Sequence, residues 1–475
     1  MNRWQTTIAA LISTVAGCGE STPAVPPPNV LLVSMDMLRA DHVSAYGYRR
    51  DTTPALDALA ARGSRFAEAI STAPWTLPAH TALFTSLVDS VHGVNDGAGV
   101  ALAPQVETLA EQFLGEGYAT AGFYAGPYLH GAYGLGQGFE TYRYCAPYAD
   151  DYDAADVEAW GRDPKAQRRS HHGSTNPLVY GAAEEWLQAV PTNQPFFAFV
   201  HLWDAHYDFT PPAPYDTMFT DPAYDGWVTG EEFFFDQRIH AGMDPTDLAH
   251  LVALYDGEIR WTDAHLRKLL DELERLGRLD NTIVVVVSDH GTELFDHGSK
   301  GHRRNLYDES LRVPMVMAGP GVPVGQVHGG QVSLIDVAPT VLDLCGIAGM
   351  NGAMGRSLGD LWRGEEWPER EAISELFADG NRLRSVRSKS RKLIHNLASG
   401  AHARFDLAGD PLETSSAGRT ESEANADLQD LEAVEDELEG LRQGSPPPIA
   451  PGEIPAGIEG ALQAHGYAGG EDKDL

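Results

Sequence analysis

Thr282-Ile-Val-Val-Val-Val-Ser-Asp-His-Gly291 decides how the chain reads. Residues 282–287 are all β-branched and almost wholly apolar, and the run is too short for a buried helix. Such a run fits a strand covered on both faces, as strands of parallel sheets are. It runs straight into Asp289 and His290, a carboxylate and an imidazole. Two further runs behave alike. Val30-Leu-Leu-Val-Ser34 leads into Asp36, and Phe196-Phe-Ala-Phe-Val200 leads into His201, Asp204 and His206. Open α/β sheets bind ligands beyond the carboxyl ends of their strands. One strand-end Asp is ordinary turn chemistry, but three ends rich in Asp or His are hard to explain that way.

Helical segments alternate with these strands. Residues 54–61 read as a helix with Pro54 at its start and Gly63 past its end. Residues 106–114 form a second helix, closed by Gly115 and Gly117, and residues 119–125 the next strand. Residues 178–190 are helical, and residues 247–276 carry apolar side chains at helical spacing. The alternation predicts an α/β fold, a mainly parallel sheet with helices on both faces. Residues 29–365 make the principal domain. Residues 140–175 within it are polar and irregular, an insertion or lid. Residues 366–415 hold three short strands, at 372–377, 384–387 and 392–395, of a smaller α+β subdomain. Residues 416–475 turn acidic and then Pro-rich, and are expected to pack loosely or stay partly disordered. No internal repeat is present.

Charge excludes one class of partner. The 68 acidic against 34 basic residues give a formal charge of −34, the wrong sign for neutralising nucleic-acid phosphates. At the N-terminus, Arg3 precedes a short apolar run from Thr6 to Ala16 that has the shape of a signal peptide rather than a membrane span. It ends in Val15-Ala16-Gly17-Cys18, which resembles a bacterial lipobox. The resemblance implies a leader over residues 1–17, lipidation of Cys18, and an exported, lipid-anchored protein of the periplasm or outer membrane. Residues 18–28 hold four prolines and read as an extended tether. If Cys18 is lipidated, Cys145 and Cys345 remain, with their pairing open.

Thr76 supplies a candidate nucleophile. It stands just before a helix predicted to begin near Pro78. Its hydroxyl either caps that helix or meets a metal that makes it easier to deprotonate. The two roles are compatible, since a helix N-terminus also favours an anion.

Taken in order, several short stretches resemble the sulfatase-like enzymes of the alkaline phosphatase superfamily. They are Met35-Asp36-Met37-Leu38-Arg39-Ala40-Asp41-His42, Thr53-Pro54-Ala55-Leu56-Asp57, Trp75-Thr76-Leu77-Pro78-Ala79-His80 and His92-Gly93-Val94. Ser288-Asp289-His290-Gly291, Gly301-His302 through Tyr307-Asp308-Glu309, Arg312-Val313-Pro314 and Phe405-Asp406-Leu407 complete the set. The resemblance implies a three-layer sandwich with a smaller C-terminal subdomain. It implies that Asp36, Asp289 and His290 bind one divalent metal, with Thr76 as nucleophile and further ligand. Mg²⁺, Ca²⁺, Mn²⁺ and Zn²⁺ all suit such a donor set. It implies that His206 and His302 hold the transferred group and assist the leaving oxygen. Asp204 is a candidate for substrate or a second metal, and His80 serves either the site or the helix.

Two positions depart from the family pattern. Sulfatases carry a Cys or Ser that is converted to formylglycine, inside a Cys-x-Pro-x-Arg signature; here Thr76, Pro78 and His80 stand there, so no formylglycine is expected. Met37 replaces a second acidic ligand. The expected function is a metal-dependent hydrolase of sulfate, phosphate or phosphonate esters with phospho-esters favoured, acting on a small-molecule, glycan or lipid ester. The rivals are a transferase of phospho-groups to envelope glycans or lipids, and a non-catalytic binding protein of the same fold.

Overall fold

In β1 (Asn29–Met35) successive side chains sort to opposite sides of the sheet, as the two-residue repeat of a strand requires. Val30 and Leu32 enter one hydrophobic core, and Leu31 and Val33 enter another. The same division runs through β6 (Thr282–Val287) and β5 (Phe196–Leu202), every residue of which is buried. A sheet with a separate core on each face is the middle layer of three. The helices Thr76–Thr85, Leu109–Gly115 and Val337–Leu344 cover one face. Pro54–Ala61, Thr175–Ala189 and Pro245–Arg275 cover the other. This is a computed structural model, and it describes residues 26–95, 99–146, 175–365, 367–416, 418, 420–455, 458, 459 and 462. The leader, Cys18 and most of the tether lie outside the described residues, as does His171-His172, a pair that could suggest a metal site but reads better from the sequence as part of a solvated loop.

The remaining strands of the main sheet are β2 (Ser64–Ile70), β3 (Ala119–Tyr124), β4 (Thr141–Tyr144), β9 (Arg312–Ala318) and β10 (Gln326–Ser333). Its order is β10-β2-β9-β6-β1-β5-β3-β4. Every neighbouring pair is parallel except the two that involve β9. β1 lies between β5 and β6, so the three strand ends singled out above are adjacent. A short hairpin of β7 (Glu293–Leu294) and β8 (Lys300–Gly301) follows the Asp289-His290 corner. The smaller antiparallel sheet holds β11 (Ala372–Leu376), β12 (Leu383–Arg387), β13 (Arg391–Asn396) and β14 (His402–Asp406) in sequence order.

Three expectations need correction. The polar stretch begins later than residue 140, because Thr141–Tyr144 pairs with β3 as the edge strand of the main sheet. Over its described residues the acidic tail is not loose: Thr420 caps a helix, Glu421–Gly444, through a capping box with Glu423. Leu431, Val434 and Leu438 of that helix are buried against the main core, and Ile449 then pairs with Ala101. Its net acidity masked an apolar stripe at helical spacing. Third, the helix expected from Pro78 begins at Thr76. Cys145 and Cys345 are both free. Among the described residues no helix is long and apolar enough to cross a membrane.

Candidate active site

The site forms where β1 and β6 leave the sheet side by side. The Asp36 amide donates to the Leu202 carbonyl at 3.0 Å, which carries the sheet pairing one residue past β1 and fixes where the carboxylate points. Met37 then turns back with a φ of 55°. Tyr255 holds that turn: its hydroxyl donates to the Met37 carbonyl at 2.6 Å and accepts from the Arg39 amide at 3.2 Å. Ser288 stitches the two corners together, its Oγ accepting from the Leu38 amide at 2.9 Å and donating to the His290 carbonyl at 2.7 Å. Gly291 must lack a side chain, because a Cβ there would overlap the Glu309 carbonyl. Met37 contributes backbone rather than a ligand, and its side chain is fully buried in the core.

Four polar atoms converge at this corner. The His290 Nδ1–H donates to the Gly291 carbonyl at 2.8 Å, which leaves Nε2 as a lone pair that can accept from the Thr76 hydroxyl or bind a cation. That Nε2 lies 3.4 Å from Thr76 Oγ1, 3.4 Å from Asp289 Oδ2 and 3.7 Å from Asp36 Oδ1. Asp289 Oδ1 accepts from the His290 amide at 2.9 Å, whereas Oδ2 has no hydrogen-bond partner, nor does Asp36 Oδ1. Two bare carboxylate oxygens beside an imidazole nitrogen whose one partner is the Thr76 hydroxyl, all in buried residues, are costly without a cation between them. The ligand atoms of Asp36, Asp289 and His290 lie within 4.8 Å of one another. Burial pushes the Asp36 carboxyl up to about 7, against the pull of His290. The residues present fit a divalent metal.

Thr76 opens its helix but does not cap it; Trp75 is the N-cap and makes no side-chain cap bond. The Thr76 hydroxyl therefore faces His290 rather than its own helix. His80, one turn on, donates from Nδ1 to the Thr76 carbonyl at 2.8 Å and accepts at Nε2 from the Ser34 hydroxyl at 2.9 Å. It supports the nucleophile's backbone and has no free nitrogen for a ligand. His201 was read only as part of a strand end, yet its Nε2 donates to Asp36 Oδ2 at 3.0 Å, the orienting contact that metal-binding carboxylates need. Burial holds both imidazoles down at about 4. His80, His201 and Asp289 also cluster; both nitrogens of His80 are hydrogen-bonded, whereas His201 Nδ1 is buried without a partner.

His302 and His206 reach the site; Asp204 does not. The His302 ring stacks on His290 at 4.7 Å and meets His206 at 5.2 Å. Burial, with His290, His206 and two arginines nearby, holds His302 well below the usual imidazole range. Asp204 instead accepts from the Asn176 amide and from Trp261 Nε1 at 2.8 Å, as well as from the Thr175 hydroxyl. Its carboxylate anchors the start of the helix Thr175–Ala189, the ordinary use of an Asp beside free amides. Tyr128 and Tyr133 pack deep beneath Trp75 rather than lining an open cleft. Arg303, not singled out in the sequence, lays its guanidinium 4.5 Å from the Trp75 ring centre and donates to Tyr128 and Asp379.

Residues 28–347 match the Sulfatase family, and residues 296–443 match the family described as N-sulphoglucosamine sulphohydrolase, C-terminal. The chain is similar to an arylsulfatase of Clostridium perfringens, 26% identical over 439 residues that cover 81% of this chain and 89% of that one. It shares its fold with a phosphonate monoester hydrolase of Agrobacterium radiobacter, at a TM-score of 0.68 and 23% identity, covering 90% of this chain and 100% of that one. A protein solved in complex with its substrate D-glucosamine-2-N,6-O-disulfate superposes at a TM-score of 0.71 and 19% identity, covering 89% of this chain and 99% of that one. With a match over residues 28–347 and this fold, the chain belongs to the sulfatase family and is an ester hydrolase.

Proposed function

We propose that the protein is an exported, metal-dependent hydrolase that works through a covalent Thr76 intermediate and favours phosphodiesters or phosphonate monoesters over sulfate esters. One observation carries the reading: Thr76 Oγ1 meets Nε2 of His290 at 3.4 Å, beside two unpartnered carboxylate oxygens, at the N-terminus of a buried helix. A divalent ion held by Asp36, Asp289, His290 and Thr76 would lower the hydroxyl's proton affinity and draw charge from the transferred group. The Thr76 hydroxyl gives its proton to water, and Oγ1 attacks phosphorus as the bond to the leaving oxygen breaks. His206 and His302 bind the non-bridging oxygens, and His206 protonates the leaving group, a proton transfer typically worth ~10²–10⁴ in rate. Water then attacks phosphorus and frees Thr76.

The preference follows from the nucleophile. A formylglycine hydrate carries a second hydroxyl, so its sulfated form collapses by eliminating sulfate. A sulfated Thr has no such exit and must be hydrolysed at sulfur. A phosphorylated Thr is open to water at phosphorus, where the transferred group carries more negative charge and a cation contributes more. On matched aryl esters, kcat/KM for the phosphodiester is expected to exceed that for the sulfate by at least about tenfold. Faster sulfate cleavage that vanishes in Thr76→Ala would show the preference to be wrong.

Location rests on residues 1–28. We place the mature protein on a lipid anchor at Cys18, followed by Gly19 rather than an inner-membrane retention Asp, facing the periplasm or outer surface. Cys18→Ala should move the protein from the membrane fraction to the soluble one; membrane association that survives the change contradicts the anchor.

A further inference from the structure

We propose that Arg304 forms an anion subsite beside the reaction centre, so that the preferred ester carries a second negative charge on the group flanking the one transferred. The inference rests on the ester-hydrolase reading and names its substrate class.

A continuous wall of rings leads from the reaction centre to Arg304. His302 stacks on the metal-facing His290, and Tyr207 packs against His302 at 5.5 Å. Phe234 stacks on Tyr207 at 5.6 Å with only 13° between the planes. The Arg304 guanidinium lies 5.3 Å from the Phe234 ring centre. Arg304 itself is half-buried and two residues beyond His302 in the chain.

Among the described residues its charge meets no anion. Among the described residues Arg304 makes no ion pair and no hydrogen bond, only the contact with Phe234. The neighbouring arginine is different, since Arg303 is committed to Tyr128 at 3.0 Å and Asp379 at 3.0 Å. Glu293 is an acid whose carboxyl feels Arg304. Burial, with Glu309 beside it, pushes that carboxyl up to about 8, and it lies beyond ion-pair distance. Lys300 adds a second cation near the same wall, with its Nζ donating to the carbonyls of Asp236 and Ile239 at 2.9 Å each and, among the described residues, to no carboxylate.

A half-buried, unpaired guanidinium loses hydration without an ion pair in return. An arriving oxyanion supplies the pair, and the planar fork of Arg matches a carboxylate, phosphate or sulfate in two parallel hydrogen bonds. The setting sharpens the point. A chain of formal charge −34 repels anionic substrates, but at physiological salt that field decays within about 8 Å. An unpaired guanidinium on this wall therefore bears on which anions bind.

The test uses the full-length protein and two diesters, bis(4-nitrophenyl) phosphate and its analogue with a carboxylate on one aryl ring. Arg304→Gln is expected to lower kcat/KM for the carboxylated diester about tenfold more than for the plain one, with partial recovery in Arg304→Lys. The same ratio should fall with rising salt in the wild type and lose most of that dependence in the variant. Equal losses on both substrates, or none on either, would overturn the subsite. Were the wild type to cleave only sulfates, the corresponding pair of aryl sulfates gives the same ratio. The phospho-ester preference would then fail while the subsite is still decided.

Discussion

Asp289→Ala is expected to leave a folded protein that holds no stoichiometric metal and turns over its esters at least about 10³-fold more slowly. The size follows from what Asp289 does. Its Oδ2 is one of two unpartnered carboxylate oxygens facing His290 Nε2, and its Oδ1 fixes the corner by accepting from the His290 amide. Changes to groups that merely orient metal ligands cost about 10–100-fold in metal affinity or activity, and a direct ligand should cost more. The fold should survive because the strands that meet here are buried along their whole lengths and none of their apolar side chains is altered. Metal analysis after dialysis, with a thermal melt as control, checks the outcome. Full occupancy in Asp289→Ala would remove this residue from the ligand set.

Thr76→Ala should separate metal binding from chemistry. Asp36, Asp289 and His290 remain, so the variant should keep its metal. Turnover should fall about 10⁴-fold or more, as when a nucleophile is deleted from a covalent mechanism. Stability should change little, since the hydroxyl makes no cap bond and Trp75 holds the N-cap position. Thr76→Ser retains a hydroxyl at the same place and should restore much of the rate. Single-turnover kinetics on an aryl phosphodiester, beside metal analysis of the same sample, reads both quantities.

Legibility in the sequence followed burial. β1, β5 and β6 are covered on both faces, so they appear as unbroken apolar runs. β2 carries Arg65 and Glu68, and β10 has five exposed or half-exposed residues at the sheet edge. Neither has a run to find, and their place is set by partners hundreds of residues away. Asp36, Asp289 and His290 were visible because a strand end is a local feature. His201 was visible as part of a strand end, but its task of orienting Asp36 depends on a neighbouring strand 165 positions distant. Asp204 misled for the opposite reason. The same strand-end position suits a metal ligand or a helix anchor, and only the amides of Thr175 and Asn176 decide between them. Arg304 carried no signal at all, because an unpaired charge is defined by what is missing around it.

The central claim is that the group transferred passes through Thr76, and the stereochemistry at phosphorus tests it most directly. A phosphorothioate diester of single handedness, hydrolysed in heavy-oxygen water, undergoes two in-line displacements if Thr76 is first esterified and then released. Each inverts the centre, so the product is predicted to retain the substrate's configuration, and the activity should be lost in Thr76→Ala. Inversion would mean that water attacks the substrate directly, and would contradict the covalent role assigned to Thr76.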